Sequence, residues 1–480
     1  MNNNPSSFTS RGTEMKQSRL LALALVLTAS FTVASAQWMA PMQYWRAYDK
    51  SGLNVFETTK DSGAAFTGLA VRIGGGFTQG YQLLSHENYV TGSDGKLVSG
   101  TWNRADSGNK LYALANGFNN ASANLNIDAQ LAAGVRMNLI LYLSSRHHNE
   151  TWVKGGYIQF DELRFLNSSF LDDLMKYLTI RVGHMEVNYG DQHFRRSDGG
   201  STLYNPFIEN YIVDAFTTEI GGDITFQHSG FLGVVGITNG EIKGNVAAPA
   251  VDTLSATPAF YGKLGYDGKI NEDFRVRVTG SMYTQHQSPR NTLYAGDRTG
   301  SNYFMIMEKA YSTWTGNPAT STASSYSSQF TSGRISPNFT NNVTAFMFNG
   351  MVQFGGLEFF GTYEMAEGAN SATQRDVDSL GNRSMNQIAA DLIYRFGNNR
   401  EFYLAGRYNA VTLEEGSRSG GAYVQTKSDR IAFAAGWYIL DQLFLKAEYM
   451  MQNWMDYGLI PQTPTTGPKS DYRTNGKASG

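Results

Sequence analysis

From about residue 122 to residue 454 the chain repeats short stretches of alternating apolar and polar residues, joined by turns of alternating length. In one stretch, Ala123, Leu125, Ile127, Ala129 and Leu131 fall on one face, and Ser122, Asn124, Asn126, Asp128 and Gln130 on the other. Successive side chains of a β-strand point to opposite faces, so each stretch is a strand with one apolar and one wet side. Closing such strands into a barrel within a bilayer gives the apolar face to lipid and the polar face to the interior. The predicted fold is all-β, a transmembrane antiparallel β-barrel of about 16 strands.

Residues 1–36 are expected to leave as a signal peptide, with Met15 as an alternative start. Lys16 and Arg19 make a positive start, 20–33 are mostly apolar, and Ala34, Ser35 and Ala36 form an A-x-A cleavage site. Residues 37–64 are then a periplasmic pre-barrel segment, too short for a substantial plug though able to enter the mouth, and 65–480 the barrel. No later stretch approaches the roughly 20 consecutive apolar residues of a membrane-spanning helix, so any spanning must be done by a closed barrel. The absence of cysteine excludes disulfides and thiolate metal sites. Losing Arg11, Lys16, Arg19 and Glu14 with the leader shifts the net charge from −2 to −4, which argues against a nucleic-acid partner. With 28 Phe, 27 Tyr and 7 Trp beside only 11 Pro, the composition suits strands and aromatic girdles.

Strand centres fall near residues 75, 126, 140, 157, 182, 221, 235, 263, 279, 348, 362, 390, 406, 432 and 448, each good to about two to four residues. Links after even-numbered strands are brief, as at 132–134, 228–230, 267–273, 355–356, 397–399 and near Asp441. Most links after odd-numbered strands are long and polar: 84–118, 190–213, 287–341, 368–383, 414–424 and 456–474. That alternation matches short periplasmic turns and long extracellular loops. It also places 303–308 inside one large loop. The longer even link, 165–176, is predicted to hold a short helix capped by Ser169, with Asp172 and Asp173 in its first turn. A barrel of this kind needs an even strand count, so the last strand is expected to be truncated or altered after Lys477, the alternative being closure by another segment.

Strand parity sorts the side chains. Phe274, Val276, Val278 and Met282 should face lipid, as should Ile388, Leu392, Tyr394 and Phe396, and Leu443, Leu445, Ala447, Tyr449 and Met451. The bases predicted to line the pore are Arg72, Arg136, Arg181, Lys263, Arg275, Arg277, Arg395, Arg407 and Lys446. The acids are Asp128, Glu219, Asp223, Glu358, Glu364, Asp391 and Glu448. Opposed charges of this kind suit a hydrated pore; the alternative is that they pair and brace the wall. After the fifth strand, Asp191, His193, Arg195, Arg196 and Asp198 are candidates for an inward-folded constriction that sets charge preference. Their alternative is a solvated surface loop.

The segment WVKGGYIQF at 152–160, followed by LTIRVGHMEVNYG at 178–190, resembles paired strands of Gram-negative outer-membrane porins, in the superfamily that includes phosphate-selective channels. MQYWRAYDKSGLNVF at 42–56 resembles the mature N-termini of Bacteroidetes-type members. The likeness runs over residues 65–455. It implies a homotrimeric channel of the Gram-negative cell outer membrane, contacting its lipid and passing small hydrophilic solutes or ions by passive diffusion. The lysine-rich loop of a phosphate-selective channel has no counterpart here, and the terminal aromatic residue common in such barrels is lacking. The rival functions are a surface adhesin or assembly partner, acting through long loops such as the Ser/Thr-rich 312–333, and a barrel enzyme. No G-x-S-x-G, HExxH or P-loop occurs, and His147 and His148, near Glu150, point apart on a strand end. The expectation is therefore of no enzyme, with no catalytic residue, cofactor or metal site.

Overall fold

Alternation becomes fifteen long antiparallel strands, each containing one of the expected centres, in the computed structural model of the chain. It describes residues 42–60, 64–91, 97–99, 110–143, 150–244, 246, 256–297, 299–313, 315–325, 331–370, 381–417, 423–457 and 475–480. The expected signal peptide and His147 and His148 lie outside the described residues. The strands are β1 (Ala70–Thr78), β2 (Ser122–Ala132), β3 (Val135–Leu143), β4 (Trp152–Phe160), β5 (Leu178–Glu186), β6 (Thr218–His228), β7 (Phe231–Thr238) and β8 (Ala259–Lys269). They continue as β9 (Phe274–Gln285), β10 (Asn342–Phe354), β11 (Leu357–Ala369), β12 (Arg383–Phe396), β13 (Phe402–Ser417), β14 (Tyr423–Leu440) and β15 (Leu443–Met455).

Each strand pairs with the next in sequence from β1 to β15. A short last strand, β16 (Asn475–Ser479), pairs with β15 on one side and with Ser85–Thr91, which follows β1 in the chain, on the other. The end of the sheet thus reaches the segment that follows its first strand. Ser85–Thr91 and Leu97–Ser99 form a rim ribbon inside the long 84–118 link, and they bring the sheet to 18 strands instead of about 16.

Local chemistry sets the register. Between β6 and β7, Ser229 (φ 51°) and Gly230 (φ 85°) both take left-handed backbone, the two-residue turn whose twist matches paired strands. The β5–β6 ladder places Arg181 opposite Asp223, and the β12–β13 ladder places Asp391 opposite Arg407. In the 165–176 link the helix covers Ser169–Leu174, but Ser168 caps it, its hydroxyl accepting from the Leu171 amide. Ser169 instead begins the helix, and Asp172 lies in its first turn. Residues 303–308 are outside every strand, as expected.

The outer face is apolar around the wall: Leu264 is 74% exposed, Val235 64%, Leu445 58% and Leu404 57%. Arg or Lys at such a lipid-facing position near the bilayer midplane costs about 2–4 kcal/mol. Near the short-turn end, Tyr394, Phe396, Phe402 and Trp437 stack in a row with centroids 5.7–5.9 Å apart, part of an aromatic girdle.

Candidate functional site

The interior is occupied by three chain segments, the first being 42–60. It crosses the barrel at the short-turn end and bonds to strands and turns at several places around the wall. The Gln43 side chain accepts from the Gly134 amide in the β2–β3 turn, and the Lys50 amide donates to Asp441 in the β14–β15 turn. Trp45 Nε1 and the Tyr48 hydroxyl both donate to Asp128, at 3.1 and 2.7 Å. Asn54 donates to Glu358 at 2.6 Å, Glu57 meets Lys263 and Arg277 at 3.2 and 2.7 Å, and Lys60 meets Asp161 at 3.3 Å. This short segment enters the barrel mouth, as its length allowed. Its alternating charges and amides each find a complement on the wall, so anchoring does not require a large domain.

The second segment, 187–217, carries the predicted constriction. Asp191, His193, Arg195 and Arg196 are buried inside the barrel, so they do not form a solvated surface loop. Their charges are matched. Asp191 accepts from Arg277 at 2.8 Å, Thr279 at 2.8 Å and Lys263 at 3.0 Å. Burial alone would raise the Asp191 carboxyl, but Lys263 and Arg277 hold it far below the usual range. The same two cations overcome burial at Glu57 and keep its carboxyl at about 2. Arg195 pairs with Glu358 at 2.5 Å, and Arg196 with Asp214 at 2.6 Å and Asp297 at 2.9 Å. His193 contacts Glu186, and Asp198 contacts Lys154. The third segment comprises parts of the 287–341 link, 287–297, 299–310 and 331–341, and brings Arg334 onto Asp214 at 2.7 Å, tying the two loops together.

The wall residues predicted to face inward do so, and most brace the interior. Arg72 stacks on Trp45, its guanidinium carbon 4.0 Å from the ring centre. Arg136 pairs with Asp128 at 2.7 Å, and Arg181 with Asp223. Glu219 and Glu364 accept from Tyr283 and Tyr294, both at 2.8 Å. Arg275 meets Asp267 at 2.7 Å, Arg395 meets Glu358 at 3.5 Å, and Arg407 meets Asp391 at 2.7 Å. Lys446 donates to the carbonyls of Thr202, Asn205 and Phe207, and Glu448 accepts from the Ile208 amide at 2.7 Å. Their partners occupy much of the interior, while Arg136 and Arg181 also line a cavity beneath β2–β6.

Parity misses Lys154. The β3–β4 register jumps from Gly155 to Val153, so Lys154 is the extra residue of a bulge and turns into the lumen. Arg46, Glu57, Asp214, Asp297 and Arg334 are also absent from the predicted set, because they lie outside the strands. A signal for them exists: apolar runs such as YFMIM at 303–307 in a nominally exterior loop imply burial.

The two sides of the lumen differ. Under β9–β15, the loop residues Phe207, Ile212, Leu293, Ile306 and Phe339 pack against inward-facing Val343, Met347, Met385 and Val411. Under β2–β6 a cavity of about 230 Å³ remains, lined by wall residues including Asn126, Asn138, Tyr157 and Thr179, and by Trp45, Arg46, Phe194 and Tyr204 from the filling segments. Among the described residues, no group of three His, Asp or Glu side chains is placed to hold a metal ion.

No family model matches the sequence, and no curated protein does. Solved structures do align with it. OmpT, an outer-membrane protein of Vibrio cholerae, is 11% identical with a TM-score of 0.41, over 87% of this chain and 97% of its own. An anion-selective porin from Comamonas acidovorans is 10% identical with a TM-score of 0.43, over 86% and 97%. OpdK of Pseudomonas aeruginosa, solved with vanillate, is 9% identical with a TM-score of 0.36, over 87% and 88%.

Proposed function

We propose that the chain is an outer-membrane channel through which small hydrophilic solutes or ions diffuse passively, along the hollow side of the lumen beneath β2–β6. The observation that carries this reading is the cavity of about 230 Å³ between a polar wall and the two inward segments. An amide-, hydroxyl- and charge-lined space holds water, whereas the opposite side is packed with apolar side chains. The apolar exterior with its aromatic row supports a lipid setting. The short-turn end, where residues 42–60 are docked, is then the periplasmic end. The protein acts here without catalysis. The trimer implied by the sequence resemblance belongs to the same reading and is checked by crosslinking of the detergent-extracted protein.

The test is single-channel recording of the folded protein in a planar bilayer. Discrete steps are expected, smaller than those of an open barrel of this strand count because the route uses only part of the section. A folded, membrane-inserted barrel that passes no current would overturn the reading.

A further inference from the structure

We propose that charge selectivity is set by Arg46 on the N-terminal segment, which forms a subsite for small carboxylate anions in the cavity beneath β2–β6. The inference rests on the channel reading for its route, but the subsite itself does not depend on current.

The cavity is lined by five arginine or lysine side chains. Arg136, Lys154, Arg181 and Arg196 are each engaged by an aspartate, as described above. Arg46 is not. Its Nε donates to the Gly52 carbonyl at 3.1 Å and its Nη2 to the Phe194 carbonyl at 3.0 Å, and both partners are neutral. Among the described residues, no carboxylate lies within ion-pair distance of its guanidinium. The acids that share the cavity lining are committed elsewhere: Glu57 to Lys263 and Arg277, Glu186 to His193, and Asp198 to Lys154.

Position is fixed as well as charge. The guanidinium carbon lies 3.8 Å from the centre of the Tyr204 ring and 5.8 Å from that of Phe194, so aromatic faces and two carbonyls hold the fork in one orientation. A preset planar fork recognises a carboxylate with two parallel hydrogen bonds. The Phe194 and Tyr204 rings supply apolar surface for the body of such a solute. By contrast, Arg195 and Arg196 in the sequence-predicted constriction are neutralised by Glu358, Asp214 and Asp297 and leave little charge for a passing ion.

The experiment compares the full protein with Arg46→Gln and Arg46→Lys, in two measurements. In the bilayer, reversal potential under a potassium chloride gradient reports the anion-to-cation permeability ratio. In detergent, calorimetric titration with benzoate, and with benzyl alcohol as the neutral control, reports the subsite. Expected are an anion preference that falls at least several-fold in Arg46→Gln and survives in Arg46→Lys, and saturable benzoate binding that Arg46→Gln abolishes and benzyl alcohol does not reproduce. Benzoate binding lost in Arg46→Gln without any current in the parent protein would keep the subsite and sink the channel reading. Unchanged selectivity in a folded Arg46→Gln protein, or benzoate binding that is absent or indifferent to the substitution, would overturn the proposal.

Discussion

Beneath β10–β15 the inner wall offers Val343, Ala345, Met347, Met385 and Leu413, and the space before it is full; beneath β2–β6 it offers Asn124, Asn126, Asn138 and Thr179, and the space is hollow. Both walls are made by the same kind of strand, so secondary structure does not explain the difference. Inward side chains do. The apolar residues on that inner face must be removed from water, and Phe207, Ile212, Leu293, Ile306 and Phe339 fold in to cover them, while the wall's Asn409 and Gln387 accept from the amides of Ile212 and Val213. An amide- and hydroxyl-bearing face is satisfied by water, so nothing drives the chain to cover it. One barrel therefore contains a core on one side and a cavity with a polar wall on the other.

The contrast has measurable consequences in unfolding, proteolysis and conductance. Phe207 is 0% exposed within the filled side, and Phe207→Ala is expected to cost about 3–5 kcal/mol in urea unfolding of the detergent-folded protein. A loss no larger than that of a cavity-lining change would remove the core from the account. At the junction of the two sides, Asp191→Asn leaves Lys263 and Arg277 with only Glu57 of their shared buried pair. A loss of about 3 kcal/mol is expected, with faster protease cleavage of residues 42–60 in the same preparation. A third prediction concerns acid. The Glu57 carboxyl sits at about 2 in the folded protein against an ordinary 4.5, so its tether is fully present above about pH 4.5 and fades as pH falls toward 2. Protease sensitivity of the N-terminal segment should rise across that window, and a flat response between pH 5 and pH 2.5 would show that Glu57 does not hold it. Smallest of all is Asn126→Ala in the hollow wall, expected to change unfolding stability by less than about 1 kcal/mol while altering conductance.

The strands were legible because a period of two survives any tertiary context: a residue that faces lipid cannot trade places with one that faces inward without every neighbour following. Inward charges such as Asp391 and Arg407 follow from the same parity, and their pairing follows from the register. The filling was not legible by that route. Asn54 reaches Glu358 across 304 residues and Arg195 reaches the same carboxylate across 163, contacts that no local pattern encodes. Lys154 was hidden for a different reason, since one bulged residue resets the parity on which the assignment depends. What local sequence did contain, and a reading by loop length passed over, was apolar content in nominally solvated links. The run at 303–307 and the residues around Phe207 and Ile212 are too hydrophobic for solvent, and they are the ones that fill the barrel.

The natural absence of cysteine makes the central contrast directly measurable, because a single introduced thiol is then the only one in the chain. Asn126→Cys places it on the hollow wall and Gln387→Cys on the filled wall, where Gln387 is 1% exposed and bonded to the backbone of Val213. Each protein is recorded in a planar bilayer while a charged methanethiosulfonate reagent is added. The account predicts rapid modification and a stepwise change in current for Asn126→Cys, and no reaction for Gln387→Cys. Modification of Gln387→Cys with a silent Asn126→Cys would contradict it and move the passage to the other side of the barrel.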